Sequence, residues 1–262
     1  MATVRANGTE LYYELRGSGP PVLLIMGATG DAGHFEAFAD LLADEFMVVS
    51  YDRRGYGRSP VPGGWSTTSP EEQADDAAGL LAALGAAPAA AFGTSSGGVF
   101  ALCLLVRHPD AARGAILHEP GLLAFHDDPD AARAPLKAAL ADAMAEGGPA
   151  AAIEPFWRYV AGDNNWIKLT PALRERMRAS AGTLFGIELG TYERYLPDDE
   201  TLAWHCRAPA AAGERRRSCG QPRDGSTTRR ALGPRRRDHP GHARGVSRSS
   251  PGAGRRRPPP IA

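Results

Sequence analysis

Between a short apolar segment at residues 89–92 and a helix-like run at 99–107, the chain reads Gly93-Thr94-Ser95-Ser96-Gly97. A serine framed by glycines at this junction constrains the fold more than any other feature. A strand that turns at once into a helix holds its central residue in a strained backbone conformation. Side chains at 93 and 97 would collide with neighbouring backbone, so glycine suits both positions. The turn lifts the Ser95 hydroxyl above a sheet, beside the N-terminus of the next helix. A hydroxyl is a poor nucleophile at neutral pH and requires an adjacent base. The oxyanion formed when it attacks a carbonyl requires donors, and the Ser96 amide at the helix start is one candidate.

The flanking pattern supplies the sheet that such a turn needs. Residues 10–16 alternate in the manner of a strand, and residues 22–26 and 46–51 are apolar runs of strands covered on both faces. Residues 34–45 read as a helix with Phe35, Phe38, Leu41 and Leu42 on one face. Ser69-Pro70-Glu71-Glu72 is a capping box with proline at the first helical position. The helix it opens runs to about Leu84 and stops at Gly85. Residues 114–118 read as a further strand. Strands alternating with helices predict an α/β fold, a mostly parallel sheet with helices on both faces. The loop Met26-Gly27-Ala28-Thr29-Gly30 comes after the strand at 22–26, and the Ala28 amide is the choice for the second oxyanion donor. From residue 122 to about 195 the segments 131–145, 150–160, 171–180 and 184–195 look helical, with no strand between them. The expected organisation is a core at 1–121, a helical cap at 122–196, a return to the core at 197–205, and a tail at 206–262.

Charge and aromatic content set that tail apart. The formal net charge of zero is a cancellation: residues 1–205 carry 15 basic and 27 acidic side chains, and residues 206–262 carry 15 Arg and 3 acids. All 19 aromatic residues lie at or before Trp204, while the last 57 residues hold 8 Pro and 8 Gly. A segment of that composition cannot bury much apolar surface, so disorder is expected there. No apolar run reaches the length of about 18 residues that spans a bilayer. The start lacks the apolar stretch of a secretory signal. The three cysteines, Cys103, Cys206 and Cys219, fit neither a metal site nor a disulfide framework. These features predict a cytoplasmic protein with no membrane partner, no metal and no cofactor.

Val22-Leu-Leu-Ile-Met-Gly27, Tyr51-Asp-Arg-Arg-Gly-Tyr-Gly-Arg-Ser59, Gly93-Thr-Ser-Ser-Gly97 and His118-Glu-Pro120 occur in that order and spacing. Together they resemble the α/β-hydrolase fold superfamily over about residues 5–203. The nearest group is the bacterial one with small helical caps, similar to enol-lactonases, aclacinomycin-type methylesterases and cofactor-free haloperoxidases. The resemblance implies that residues 51–59 support the active-site floor, their Asp and Arg making a salt-bridged turn. Serine at the nucleophile position argues against the branches that attack with a carboxylate. Of the cap's large side chains (Phe125, His126, Phe156, Trp157, Tyr159, Trp166 and Phe185), most are expected in the cap core and a minority in the pocket roof.

The family supplies its acid and histidine after the cap, which corresponds to residues 207–250 here. That stretch has no strand-like run, and arginines occupy the acid position. Within the chain, Glu119 is the candidate acid, with a structural role in the His-Glu-Pro turn as its rival reading. His242, after Pro240-Gly241, is the candidate base, against a coincidental match. His118 reads as packed or pocket-lining, and His34, near the oxyanion loop, as a capping or surface residue with substrate contact as its rival reading. A one-nucleotide shift offers another source for the base. Read so, the codons from Pro240 to Pro251 can encode Pro-Gly-Thr-His-Ala-Val-Tyr-Leu-Asp-His-Pro, and alanines 210–212 can become leucines. Two readings of residues 206–262 stand side by side, a frameshifted end and a natural basic tail, and the codon match is compatible with the first.

Three functions are implied, in rank order. The first is a serine hydrolase of a small-molecule carboxylic ester or lactone, working through a Ser95 acyl-enzyme. The second is a catalytically impaired relative that at most binds ligand. The third is a nucleic-acid binder using the arginine triplets at 215–217, 235–237 and 255–257. It ranks last, because no aromatic interleaves them for base stacking. The sequence sets neither the substrate nor the oligomeric state.

Overall fold

The central strand of the sheet is an apolar run buried on both faces. In the computed structural model, strands β1 (Ala2–Ala6), β2 (Thr9–Arg16), β3 (Pro21–Ile25), β4 (Met47–Tyr51), β5 (Ala89–Thr94) and β6 (Ala112–His118) form one sheet in the order β1-β2-β4-β3-β5-β6. The structure describes residues 2–197 and Leu202, all within the unit Met1–Pro209. β4, β3, β5 and β6 run parallel, and β1 and β2 are antiparallel additions at one side. Parallel strands need crossover helices, which is why the sequence alternates as it does.

Side-chain alternation along β3 and β4 divides the core into two layers. Leu23, Ile25, Val49 and Tyr51 face one layer. It is filled from α2 (Pro70–Ala83) by Leu80 and Leu81, and from α3 (Ser96–Arg107) by Phe100 and Leu104. Leu24 and Val48 face the other layer, where Phe35 and Ala39 meet Phe156, Trp157 and Trp166. Ala39 belongs to α1 (Glu36–Leu42), and the aromatics arrive from the helical stretch beyond β6.

That stretch contains helices and turns but no strand among the described residues. It runs through α4 (Pro129–Ala161), α5 (Asp163–Lys168), α6 (Pro171–Ala179) and α7 (Ala181–Thr183), then a π-turn at Leu184–Glu188 and a 3-10 turn at Tyr192–Arg194. α4 breaks at Gly148, where φ is +66°, between the two helical segments expected at 131–145 and 150–160. The expected cap-core aromatics of the whole stretch divide: Phe156, Trp157 and Trp166 are buried, whereas Phe125 and Tyr159 are exposed. No helix among the described residues is long and apolar enough to cross a membrane.

Four local expectations are corrected. β1 was not anticipated; it pairs with β2 across Asn7-Gly8, both at positive φ. The buried face of α1 is not the predicted one, since Ala39 is fully buried and Leu41 is 80% exposed. A 3-10 turn at Ala32–Phe35 precedes the helix, and its tighter winding shifts the phase of α1. The capping box is half made: Ser69 Oγ accepts from the Glu72 amide at 3.2 Å, while the Glu72 carboxylate takes the Trp65 indole N–H (2.9 Å) and the Thr68 hydroxyl (2.8 Å). The segment at 184–195 is a pair of short turns, not one helix.

Candidate active site

β5 passes into α3 with no intervening loop, so the helix starts at Ser96 and not near 99. Ser95 sits at the junction with φ 54° and ψ −126°, a conformation that costs an ordinary residue about 1–3 kcal/mol. Its surroundings hold it there. The Ser95 amide donates to the His118 carbonyl (3.0 Å), and the Ser95 carbonyl accepts from the amides of Gly98 (2.9 Å) and Gly121 (3.2 Å). A Cβ at Gly93 would overlap the Gly97 carbonyl, and one at Gly97 would overlap the carbonyl of Ile25 in β3. The two glycines thus serve the steric purpose expected of them. Ser95 is exposed, and Ser96 is buried at the head of α3.

The loop after β3 lies against this turn. A Cβ at Gly27 would stand 2.6 Å from the Thr94 carbonyl oxygen, 2.9 Å from Ser95 Cβ and 3.2 Å from the Ser96 amide nitrogen. Ala28 is next in the chain and is buried. The turn closes through Gly30 N–H to the Gly27 carbonyl at 2.9 Å, with Thr29 and Gly30 at positive φ. Gly30 packs on the Tyr56 ring so closely that a Cβ would lie 2.6 Å from it. Ser95, Ser96 and the Gly27–Ala28 loop therefore converge, as the sequence implied.

What fixes this loop was not foreseen. Asp52 makes the expected salt-bridged turn: its carboxylate accepts from the Arg58 side chain (2.6 and 2.9 Å), the Arg58 amide (2.7 Å) and the Ala32 amide (2.7 Å). Burial leaves the Asp52 carboxyl above its ordinary pKa in spite of these partners. Arg53 points the other way. Its Nε donates to the Met26 carbonyl (2.8 Å) and its Nη2 to the Gly27 carbonyl (2.7 Å). Its remaining N–H groups reach Gln73 Oε1 (3.0 Å) and both oxygens of Glu188 (2.6 and 2.9 Å). Arg53 and Glu188 are both 0% exposed. Burial alone would lower the Arg53 pKa, but the Glu188 carboxylate outweighs it and leaves the guanidinium more firmly protonated than usual. The guanidinium also lies over the rings of Tyr56 and Phe100, at 4.6 and 4.7 Å.

The helical stretch is also tied to the loop through Asp31, whose carboxylate pairs with Arg176 of α6 and accepts from the Gly33 amide (2.7 Å). His34 donates from Nδ1 to the Asp31 carbonyl (3.1 Å) and lies 5.0 Å from the Trp157 ring. Burial lowers its pKa, so it is neutral at pH 7. It is half-buried, bonded within its own turn and set against Trp157, and so is not the surface group of the sequence reading.

The other candidates divide. Glu119 comes directly after β6, exposed, with φ +45°; the next residue, Pro120, abuts Gly98 at the elbow. His118 is exposed at the end of β6; its Nδ1 meets the Thr94 hydroxyl at 3.0 Å and its ring stacks on Phe92. His108 is engaged with Asp75 at 2.6 Å. Among the described residues, no histidine hydrogen-bonds Ser95. His242 and the arginine triplets lie outside the described residues.

This architecture, with a strained serine between a parallel strand and a buried helix, defines a class. The model of the alpha/beta hydrolase fold family matches residues 20–186, and the chain belongs to that family. It is 30% identical to an alpha/beta hydrolase from Sphaerobacter thermophilus, covering 70% of both chains with a TM-score of 0.54. It is 28% identical to a thermophilic esterase from Thermogutta terrifontis, covering 74% of this chain and 73% of that one with a TM-score of 0.58. It is 44% identical over 121 residues to the uncharacterized hydrolase YraK of Bacillus subtilis, or 46% of this chain and 45% of YraK. The chain spans less than half the length of the curated relatives it matches.

Proposed function

We propose that this chain is a serine hydrolase of a carboxylic ester or lactone. Ser95 attacks the carbonyl, the Ala28 and Ser96 amides receive the oxyanion, and water releases the acyl group. The observation that carries this reading is Ser95 itself, an exposed serine held at φ 54° with Gly27 packed against it and the Ser96 amide. The likeness to the esterase from Thermogutta terrifontis supports the ester class. The helices from Pro129 to Thr183 serve in this reading as a cap over the carbonyl-binding end of the sheet.

The base belongs to the shifted reading frame across residues 240–251, and the present residues 206–262 to a frameshift. In that account Glu119 is a structural carboxylate, and neither it nor His242 completes a triad. Determining the coding DNA around codons 200–210 tests the frameshift. An in-frame read, with relatives carrying the same tail, overturns it.

One observation favours a second reading for the chain as it stands. Among the described residues no histidine hydrogen-bonds Ser95 (His34, His108 and His118 bond Asp31, Asp75 and Thr94 instead), so a chain lacking the shifted histidine works slowly or only binds ligand. Oxyanion donors and binding alone leave a residual catalysis of about 10³–10⁴ over water. Labelling with a fluorophosphonate, compared between the parent, Ser95→Ala and a truncation after Trp204, separates the readings. Ser95-dependent labelling supports hydrolysis, and its absence in folded protein supports the impaired form.

A further inference from the structure

We infer that Arg53 and Glu188 form a clamp that sets the direction of the Ala28 amide, making Arg53 a positioning residue for the oxyanion site. Its catalytic consequence rests on the reading of Ser95 as nucleophile; its structural consequence does not.

The physical basis is the peptide plane. The Gly27 carbonyl and the Ala28 N–H share one rigid trans unit and point in opposite directions. Arg53 Nη2 holds the Gly27 carbonyl at 2.7 Å and Nε holds the Met26 carbonyl at 2.8 Å. Gripping those oxygens on one side of the loop fixes where the amide on the other side is aimed. The grip is itself immobilised, because all five guanidinium N–H groups are used: two on carbonyls, one on Gln73 and two on Glu188. Lysine, a point charge with three donors, cannot reproduce that fork. Glu188 neutralises the buried cation and arrives from the Leu184–Glu188 turn, 135 residues away. The end of the helical stretch is thereby coupled to the oxyanion loop, and a shift of that turn displaces the donor.

The test uses the full chain and four variants: Arg53→Lys, Glu188→Gln, Arg53→Met, and Arg53→Met with Glu188→Leu. Arg53→Lys and the double variant guard against unfolding, since one keeps the charge and the other removes both charges together. Amide hydrogen exchange is monitored for peptides covering 26–34, with 47–51 as reference. Ser95 labelling by a fluorophosphonate is resolved into its maximal rate and its half-saturating concentration. In the folded variants, exchange over 26–34 rises at least about tenfold and that over 47–51 does not. The maximal labelling rate falls about 100-fold, the size expected of a misplaced oxyanion donor, and half-saturation moves by less than about threefold. A purely structural pair would lower melting temperature and leave both the local exchange pattern and that split unchanged. Unchanged exchange over 26–34 in folded variants overturns the clamp. So does a loosened loop with an unchanged labelling rate. If the parent is not labelled at all while the variants loosen only 26–34, the clamp stands and the chain is the impaired form.

Discussion

Two halves of the same site are held by different physics. The elbow half, Gly93 to Gly98, is fixed by volume: carbonyls of Gly97 and Ile25 fill the space where Cβ atoms would stand. The loop half, Met26 to Gly30, is fixed by charge, through Arg53 and Glu188 and through Asp31 and Arg176. Steric fixing is local and tolerates no addition. Ionic fixing joins residues far apart in sequence and tolerates loss of both partners better than loss of one.

Substitutions separate the two mechanisms, the largest expected effect coming from the elbow. Gly97→Ala forces a methyl into the Ile25 carbonyl and costs about 3 kcal/mol or more, read by denaturant unfolding or as failure to fold. A tolerated alanine with unchanged stability would refute steric fixing. Glu188→Ala leaves the Arg53 cation buried and unpaired, at about 3–5 kcal/mol. Arg53→Met combined with Glu188→Leu is expected to lose less than the two single losses summed, because no charge is left buried and each acceptor left without a partner costs about 1–3 kcal/mol. Additive losses would contradict ionic fixing.

Asp31→Asn is expected to cost less, about 1–2 kcal/mol at pH 7, since Arg176 is 31% exposed and partly screened. The loss depends on pH with a definite sign. Burial raises the Asp31 pKa, but Arg176 and the Gly33 amide outweigh it and hold the carboxyl below its ordinary value. The stabilisation is complete above the unfolded carboxylate pKa of about 3.9 and is lost as pH falls through the lower folded value. The difference in unfolding free energy between parent and variant should therefore be smaller near pH 3 than at pH 7. Leu41→Ala, at an exposed position on α1, should change stability by less than about 0.5 kcal/mol.

The same division explains what could be read from sequence. The elbow was legible because its glycines, serine and flanking strand and helix are contiguous, and its steric demand is satisfied within about ten residues. β3 was legible because a run buried on both faces has no polar alternation. β1 was missed although Asn7-Gly8 is a strong hairpin signal, because Ala2–Ala6 carries little apolar content. The face of α1 was misread because a 3-10 turn set its phase. Glu188 was illegible in principle: nothing near residue 188 announces that its carboxylate will meet Arg53 across 135 positions. The contact of His34 with Trp157 was illegible for a similar reason, since 123 positions separate them. Glu119 gained no hydrogen bond to Ser95, and His242 lies outside the described residues.

The central claim is that Ser95 is the nucleophile, and active-site labelling measures it directly. The purified chain is treated with a fluorophosphonate and the modified peptide is identified by mass spectrometry. A covalent adduct on Ser95, abolished in Ser95→Ala with the fold retained, is the result this account predicts. An adduct that persists in folded Ser95→Ala would contradict it, whereas no adduct on a folded parent is the result of the impaired form.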